Sequence, residues 1–255
     1  MILGGTARSP DDAAALMEMG LSFAEISVPD VARFEKELSR YRAVAEGRQF
    51  FYLCHGPQEG DPNDIDSLEN TYLSNLLQML EPVKEINADT LTIHLWMDPR
   101  FVSSRVIQYK VGFMKRLIRA SRRFGLNINI ENLSESHRDL LPVFEKIPEL
   151  GMTLDIGHAQ LLTSKNRSFG FIALCPERIR HIHLHDNRGG LSAADDLHLP
   201  LGQGRVDFLS IFSSLKTINY DGTMTLELRP QQILACLDKV KELLSSAGLG
   251  QGDPS

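Results

Sequence analysis

"LNINIE", residues 126–131, sets Asn127, Asn129 and Glu131 on one parity and Ile128 and Ile130 on the other. Successive side chains of an extended strand face opposite ways, so this segment has one polar and one apolar face. Parallel strands covered by helices on both sides of an open sheet read instead as continuous apolar runs. The same alternation recurs in "LTIHL" (Thr92 and His94 against Ile93 and Leu95), "MTLDI" (Thr153 and Asp155 against Leu154 and Ile156) and "TMTLEL" (Thr225 and Glu227 against Met224 and Leu226). A closed barrel accommodates all of them: the apolar faces meet surrounding helices, and the polar faces line the interior.

Working outward, strand-like runs ("MILGG", "SFAEISV", "FFYLCH", "TLTIHL", "LNINIEN", "MTLDIGH", "HIHLHDN", "TMTLEL") alternate with amphipathic helical stretches along the chain. Alternation of this kind implies parallel strands. Eight units within 255 residues predict an α/β protein with a single (β/α)8 TIM barrel. An open dinucleotide-binding sheet is the alternative, but no G-x-G-x-x-G follows the first strand. In "DIDSLENTYLSNLLQMLEPVKEI" Pro82 is expected to kink or end the helix. Residues 1–247 are read as one barrel, with the functional site at the C-terminal face, and "GLGQGDPS" (248–255) as a disordered tail.

A formal net charge of -6 gives no general surface for nucleic acid or anionic membrane. The start, "MILGGTARSP", lacks the basic and apolar regions of a secretory signal, and no apolar run is long enough to span a bilayer. Cys54, Cys175 and Cys236 are few, odd in number and far apart. They read as small packing residues in a reduced, cytoplasmic protein.

The ionisable residues cluster at the C-terminal ends of the strands, where such barrels carry their sites. They are His55, His94, Glu131, Asp155, His158, His183, Asp196, His198 and Glu227. Gly157 lets the "DIGH" turn bring His158 back beside Asp155, and "DDLHLPLGQG" carries Asp196 and His198 over the top. Imidazole nitrogens and carboxylate oxygens together suit zinc, manganese or a similar divalent ion. Without a cation the carboxylates would repel one another. Any one strand histidine is more often a hydrogen-bonded core residue than a ligand, so joint placement carries the reading. His181, at the start of "HIHLHDNRGG" (181–190), is expected deep and structural, and His185 near the rim. No G-x-S-x-G supports a serine hydrolase.

At these residues the sequence resembles the xylose isomerase-like TIM-barrel superfamily, which includes sugar isomerases, epimerases and the endonuclease IV type of AP endonuclease. The signatures are "IEN" (130–132), "LDIGHA" (154–159), "HLHD" (183–186), "DLHLPLGQG" (196–204) and "LEL" (226–228). In the epimerase branch the resemblance implies one divalent metal on Glu131, Asp155, His183 and Glu227. In the endonuclease IV branch three zinc ions take a longer set, matched here by adding His55, His94, His158, Asp196 and His198. One to three ions (Zn, or Mn, Mg or Co) are therefore expected, with Glu131 as a bridge.

Two reactions compete. In isomerisation or epimerisation of a sugar or sugar phosphate, Glu131 and Glu227 are the catalytic proton carriers around a metal-bound enediolate. His158, His185 and Arg188 would then contact the substrate. In phosphodiester hydrolysis, neighbouring zinc ions activate water and stabilise the developing charge. The second suits the full donor set. The loop after His55, with Glu59, Asp61, Asp64 and Asp66, is hostile to a DNA backbone. Cations near the predicted top face are few (Arg100, Arg105, Arg188 and Arg205). A small polyhydroxy or phosphorylated substrate therefore ranks ahead of nucleic acid. A binding protein without turnover is a third class, and the sequence identifies no oligomeric interface.

Overall fold

The structure, a computed structural model, describes residues 1–250. Eight parallel strands close into one barrel in chain order: β1 (Ile2–Ala7), β2 (Phe23–Ser27), β3 (Phe51–His55), β4 (Thr90–His94), β5 (Asn127–Glu131), β6 (Gly151–Asp155), β7 (Ile179–Leu184) and β8 (Thr223–Leu226). Around them run α1 (Pro10–Glu18), α2 (Val31–Ala45), α3 (Ile65–Ser67), α4 (Ser74–Glu85), α5 (Ser104–Ser121), α6 (His137–Lys146), α7 (Ser168–Leu174), α8 (Phe208–Thr217) and α9 (Pro230–Ser246). The (β/α)8 expectation holds. Side-chain oxygens of Ser9, Asp30, Ser103 and Asp207 cap α1, α2, α5 and α8 by accepting backbone N–H groups of the first turn.

The helix after β3 departs from the expectation at Pro82. The π-helical turn Leu68–Leu73 joins α3 to α4, and α4 continues three residues past Pro82 to Glu85. The irregularity lies upstream of the proline. Pro82 is buried within the helix and does not end it.

The strand parities fall as the alternation requires. Ile93, Ile130, Leu154, Ile182, Met224 and Leu226 are fully buried in the layer between barrel and helices, each such side chain contributing about 1.5–3 kcal/mol by leaving water. The opposite parity fills the interior in tiers. Phe23 stacks on Phe51 at a centroid distance of 5.1 Å near the lower end. Above them Thr92 and Thr153 share a hydrogen bond of 2.8 Å. His181 sits at this depth, with Nδ1 2.7 Å from Thr223 Oγ1 and Nε2 3.0 Å from Thr225 Oγ1, as a structural residue. The strand register then sets His94 beside Glu131 and Asp155 beside His183 at the upper rim.

At the C-terminal end Gly248 takes a left-handed φ of 72° and its N–H bonds Ser245 O, while Leu249 is buried and bonds Leu244 O. Of the tail expected from residue 248, these residues are therefore placed against α9, and 251–255 lie outside the described residues. None of the described helices is long and apolar enough to cross a membrane, and all three cysteines are buried free thiols.

Candidate metal centre

Six strand ends and one loop bring the nine predicted donors together. Glu131, at the end of β5, lies at the centre. Its Oε2 is 2.9 Å from His55 Nε2, 3.2 Å from His94 Nε2 and 3.3 Å from His183 Nδ1, and its Oε1 is 2.9 Å from His158 Nδ1. His183 Nδ1 also lies 3.2 Å from Glu227 Oε1 and 3.7 Å from Asp155 Oδ2. A further group forms above, where Asp196 Oδ2 is 3.0 Å from His158 Nε2 and 3.1 Å from His198 Nε2. Five sets of described residues thus have donor atoms within 4.8 Å of one another: His55, His94 and Glu131; His55, His183 and Glu227; Glu131, Asp155, His183 and Glu227; His158, His185, Asp196 and His198; and, deeper, Glu25, His181 and His183.

Local sequence explains how each set is held. Asn132 fixes β5 against β6 through paired bonds, its amide donating to Asp155 O and its oxygen accepting from Asp155 N–H, both at 2.9 Å. The Asp155 carboxylate accepts the His158 backbone N–H at 2.5 Å, which closes the "DIGH" turn. A Cβ at position 157 would fall 2.2 Å from the His185 ring, so only glycine permits that turn. The loop 185–206 folds around Asp186, whose carboxylate accepts the N–H groups of Asn187 (2.8 Å), Gly202 (2.9 Å), Gly204 (2.8 Å) and Val206 (3.1 Å). A Cβ on Gly204 would approach Asp186 Oδ1 to 2.2 Å. Asp196 and His198 ride on this knot, His198 in a left-handed conformation with φ 43°.

Charge in the cluster is strongly coupled. Burial works against ionising Glu131, yet the imidazoles of His94 and His183 hold it well below the usual carboxylate range. Burial likewise opposes a charge on His183, and the carboxylates of Glu227, Glu25 and Glu131 overcome it and raise its pKa strongly. His55, pulled by Glu131 against its burial, rises to about 9, and His198, pulled by Asp196, does the same. A field that holds protons this tightly on imidazoles also attracts a divalent cation, which displaces those protons on binding.

The residues present fit such a cation. Glu131 Oε1, His183 Nδ1 and His185 Nδ1 are buried and lack an aligned hydrogen-bond partner among the described residues. Orphaned polar atoms of this kind are rare in proteins unless a ligand meets them. The nitrogen and oxygen donor set matches zinc and its neighbours in the first transition row.

Two expectations for substrate contacts are corrected. His185 is fully buried beneath the mouth, with Nε2 3.0 Å from Asp155 Oδ1 and its ring stacked 3.9 Å from that of His198. It packs among possible donors and does not meet solvent. Arg188 is exposed and lines neither cavity at the mouth. The acidic loop also differs, because Glu59 is buried in an ion pair with Lys110 of α5 at the edge of a cavity and is not a free surface charge.

Sequence reasoning missed Glu25 on β2, whose Oε2 lies 2.8 Å from His183 Nε2 and 3.3 Å from His181 Nε2. Its signal was available: in "FAEIS" Glu25 shares the inward parity with Phe23 and Ser27.

Two cavities open at the mouth, of about 290 and 380 Å³. They share Gln58, His94, His158 and Asp196. The first descends to Glu227, His55 and Glu25. The second is walled by Trp96, Leu133, Leu161 and Leu162.

A closed parallel barrel with imidazole and carboxylate donors converging at its C-terminal mouth defines a (β/α)8 protein with a candidate metal centre. Residues 13–245 match the family described as xylose isomerase-like TIM barrel, and the chain belongs to that family. Among curated relatives, the uncharacterized protein MJ1311 of Methanocaldococcus jannaschii is 26% identical over 160 residues, 58% of this chain and 53% of that one. A ketose 3-epimerase of Arthrobacter globiformis is 28% identical over 120 residues, 44% of this chain and 38% of the enzyme. The chain thus spans about half the length of the first and less of the second. Among solved structures, a D-tagatose 3-epimerase-like protein superposes with a TM-score of 0.83 at 20% identity, covering 97% of this chain and 98% of its own. A Thermus thermophilus protein, TTHB071, soaked with ZnCl2, superposes with a TM-score of 0.78 at 24% identity, covering 99% and 100%. Both identities are low enough that the likeness speaks for the fold.

Proposed function

We propose that this chain is a divalent-metal-dependent isomerase or epimerase of small sugars. The observation that carries the reading is the convergence of Glu131, Asp155, His183 and Glu227, from four successive strand ends, beside a cavity that Glu227 lines. The relationship to a ketose 3-epimerase and the likeness to an epimerase-like barrel support it. A cation held by those four residues would supply Lewis acidity, polarising a carbonyl and acidifying the adjacent C–H.

The chain's own groups handle the proton. Glu227 lines the cavity, whereas Glu131 is enclosed by four imidazoles and does not. Glu227 is thus the carboxylate placed to take a proton from substrate carbon, and Glu131 acts beneath it as a shared anchor. From Glu227 a line of titratable groups runs along the wall: His198 Nδ1 at 3.6 Å, then Asp196 at 3.1 Å from His198 Nε2, then His158 at 3.0 Å. His158, on the far side of this line and facing both cavities, is placed to return a proton. Assay of ketoses and aldoses in deuterated water tests the reading. Exchange at the carbon beside the carbonyl, lost with Glu227→Gln, is expected, and no exchange with any sugar would refute it.

A second reading, phosphoester hydrolysis, draws on one specific observation. Further donor sets surround the four-residue one, and Glu131 links His55 and His94 to it. Metal analysis separates the two readings: one Mn, Mg or Co per chain favours isomerisation, and two or three Zn favours hydrolysis.

A further inference from the structure

The metal donors leave one sector of the mouth without any. They come from the ends of β3 to β8 and the loop after β7, and the ends of β1 and β2 contribute none of the nine. That sector carries Thr6, Arg8 and Ser27, with Gln58 beside them. Thr6 and Arg8 share the inward parity of β1, where Arg8 stands just past the strand end. Thr6 is 8% exposed and lines the cavity, and its hydroxyl is buried with no hydrogen-bond partner among the described residues. A buried hydroxyl left unpaired is costly, so its partner is expected to arrive with a ligand. Among the described residues, Arg8 is the only arginine or lysine that lines either cavity. Its backbone N–H is tied to Asp12 at 2.9 Å, which fixes the root of the side chain. The one carboxylate in this sector, Glu25, has Oε2 turned to His183 and His181.

We propose that Thr6, Arg8 and Ser27 form a binding site for a terminal oxyanion, so that the substrate is a small sugar carrying a phosphate or carboxylate. Guanidinium can only donate hydrogen bonds and keeps its charge, and two hydroxyls at its foot complete a donor-rich cradle. The anion sits at the β1–β2 side while the reacting carbon faces Glu227, so one cavity of about 290 Å³ holds both ends of the molecule. The proposal deepens the sugar isomerase reading and rests on it.

The test compares a neutral ketose, its terminal phosphate and the matching sugar acid on the protein loaded in turn with manganese, magnesium, cobalt and zinc. The expected result is a preference of tenfold or more for an anionic form; whether phosphate or carboxylate wins names the group. Arg8→Gln should cut that preference about ten- to a hundredfold, through KM more than kcat. The isosteric Thr6→Val should cut it severalfold. Equal turnover of neutral and anionic forms would overturn the site. If no sugar reacts, the isomerase reading fails separately, and inorganic phosphate measured by calorimetry still decides the site. Phosphate bound at least tenfold more weakly by Arg8→Gln than by the parent supports it. Equal binding, or none to either, rejects it.

Discussion

His183 Nε2 lies 2.8 Å from Glu25 Oε2, on the side of the ring opposite the donor cluster that its Nδ1 faces. A carboxylate behind a ligating imidazole orients the ring and strengthens it as a donor, and losing such a partner typically costs 10–100-fold in metal affinity. Glu25→Gln is therefore expected to weaken zinc binding by about that factor with an unchanged far-ultraviolet spectrum. Undiminished affinity in a chelator competition would show that Glu25 does not position His183.

Glu131 Oε2 faces His55, His94 and His183, and its Oε1 faces His158. Glu131→Gln keeps the shape but replaces one acceptor with a donor facing imidazoles. The expected outcome is loss of bound metal by elemental analysis and turnover below detection, with the barrel still folded. Activity within tenfold of the parent would remove Glu131 from the mechanism.

The buried Lys110–Glu59 pair, with side chains 0% and 5% exposed, ties α5 to the loop after β3, and Lys110 Nζ donates to Trp96 O at 2.7 Å. Removing one partner strands the other charge in the interior. Lys110→Met should cost about 3–5 kcal/mol in urea unfolding, and adding Glu59→Gln should recover much of it. A loss below 1 kcal/mol (roughly the worth of a surface pair) would mean that water reaches the pair.

Glu135 is buried, and desolvation lifts its carboxyl to about 7 even though it accepts the N–H groups of Met97, Leu133 and Ser134. A folded pKa above the unfolded value means that the native state holds this proton more tightly. The resulting stability is complete below about 4.5 and is lost as pH rises through about 7. Parent minus Glu135→Gln unfolding free energy should therefore fall between these limits, by at most about 3 kcal/mol. A flat difference would show that the three N–H groups already keep Glu135 ionised.

The alternation in "LNINIE", "MTLDI" and "TMTLEL" was enough to read the barrel and its polar interior, because a period of two survives whatever packs around it. The gathering of the nine predicted donor residues at the mouth was legible for the same reason, since each stands at a strand end or in one of the two top loops. Other features depend on partners distant in sequence. Glu59 looked like a surface charge until Lys110 reached it from α5. His185 has the parity of a rim residue, but the loop knotted around Asp186 covers it. Arg8 lies one residue beyond β1, and only its place in the cavity lining shows that the inward parity continues to it. Pro82 misled because the local rule against proline ignores how well a buried helix is supported by its neighbours.

The knot at Asp186 has a consequence for how such a mouth can be altered. Most bonds that shape residues 186–206 are internal: the carboxylate at 186 to four amides, Asn187 to Asp196 and Leu197, and Asp186 to Leu199 across a two-residue bridge. The segment is knitted largely by its own hydrogen bonds and carries Asp196 and His198 with it. Replacing that segment would change Asp196 and His198 together, while Glu131, Asp155, His183 and Glu227 stand at the strand ends beneath.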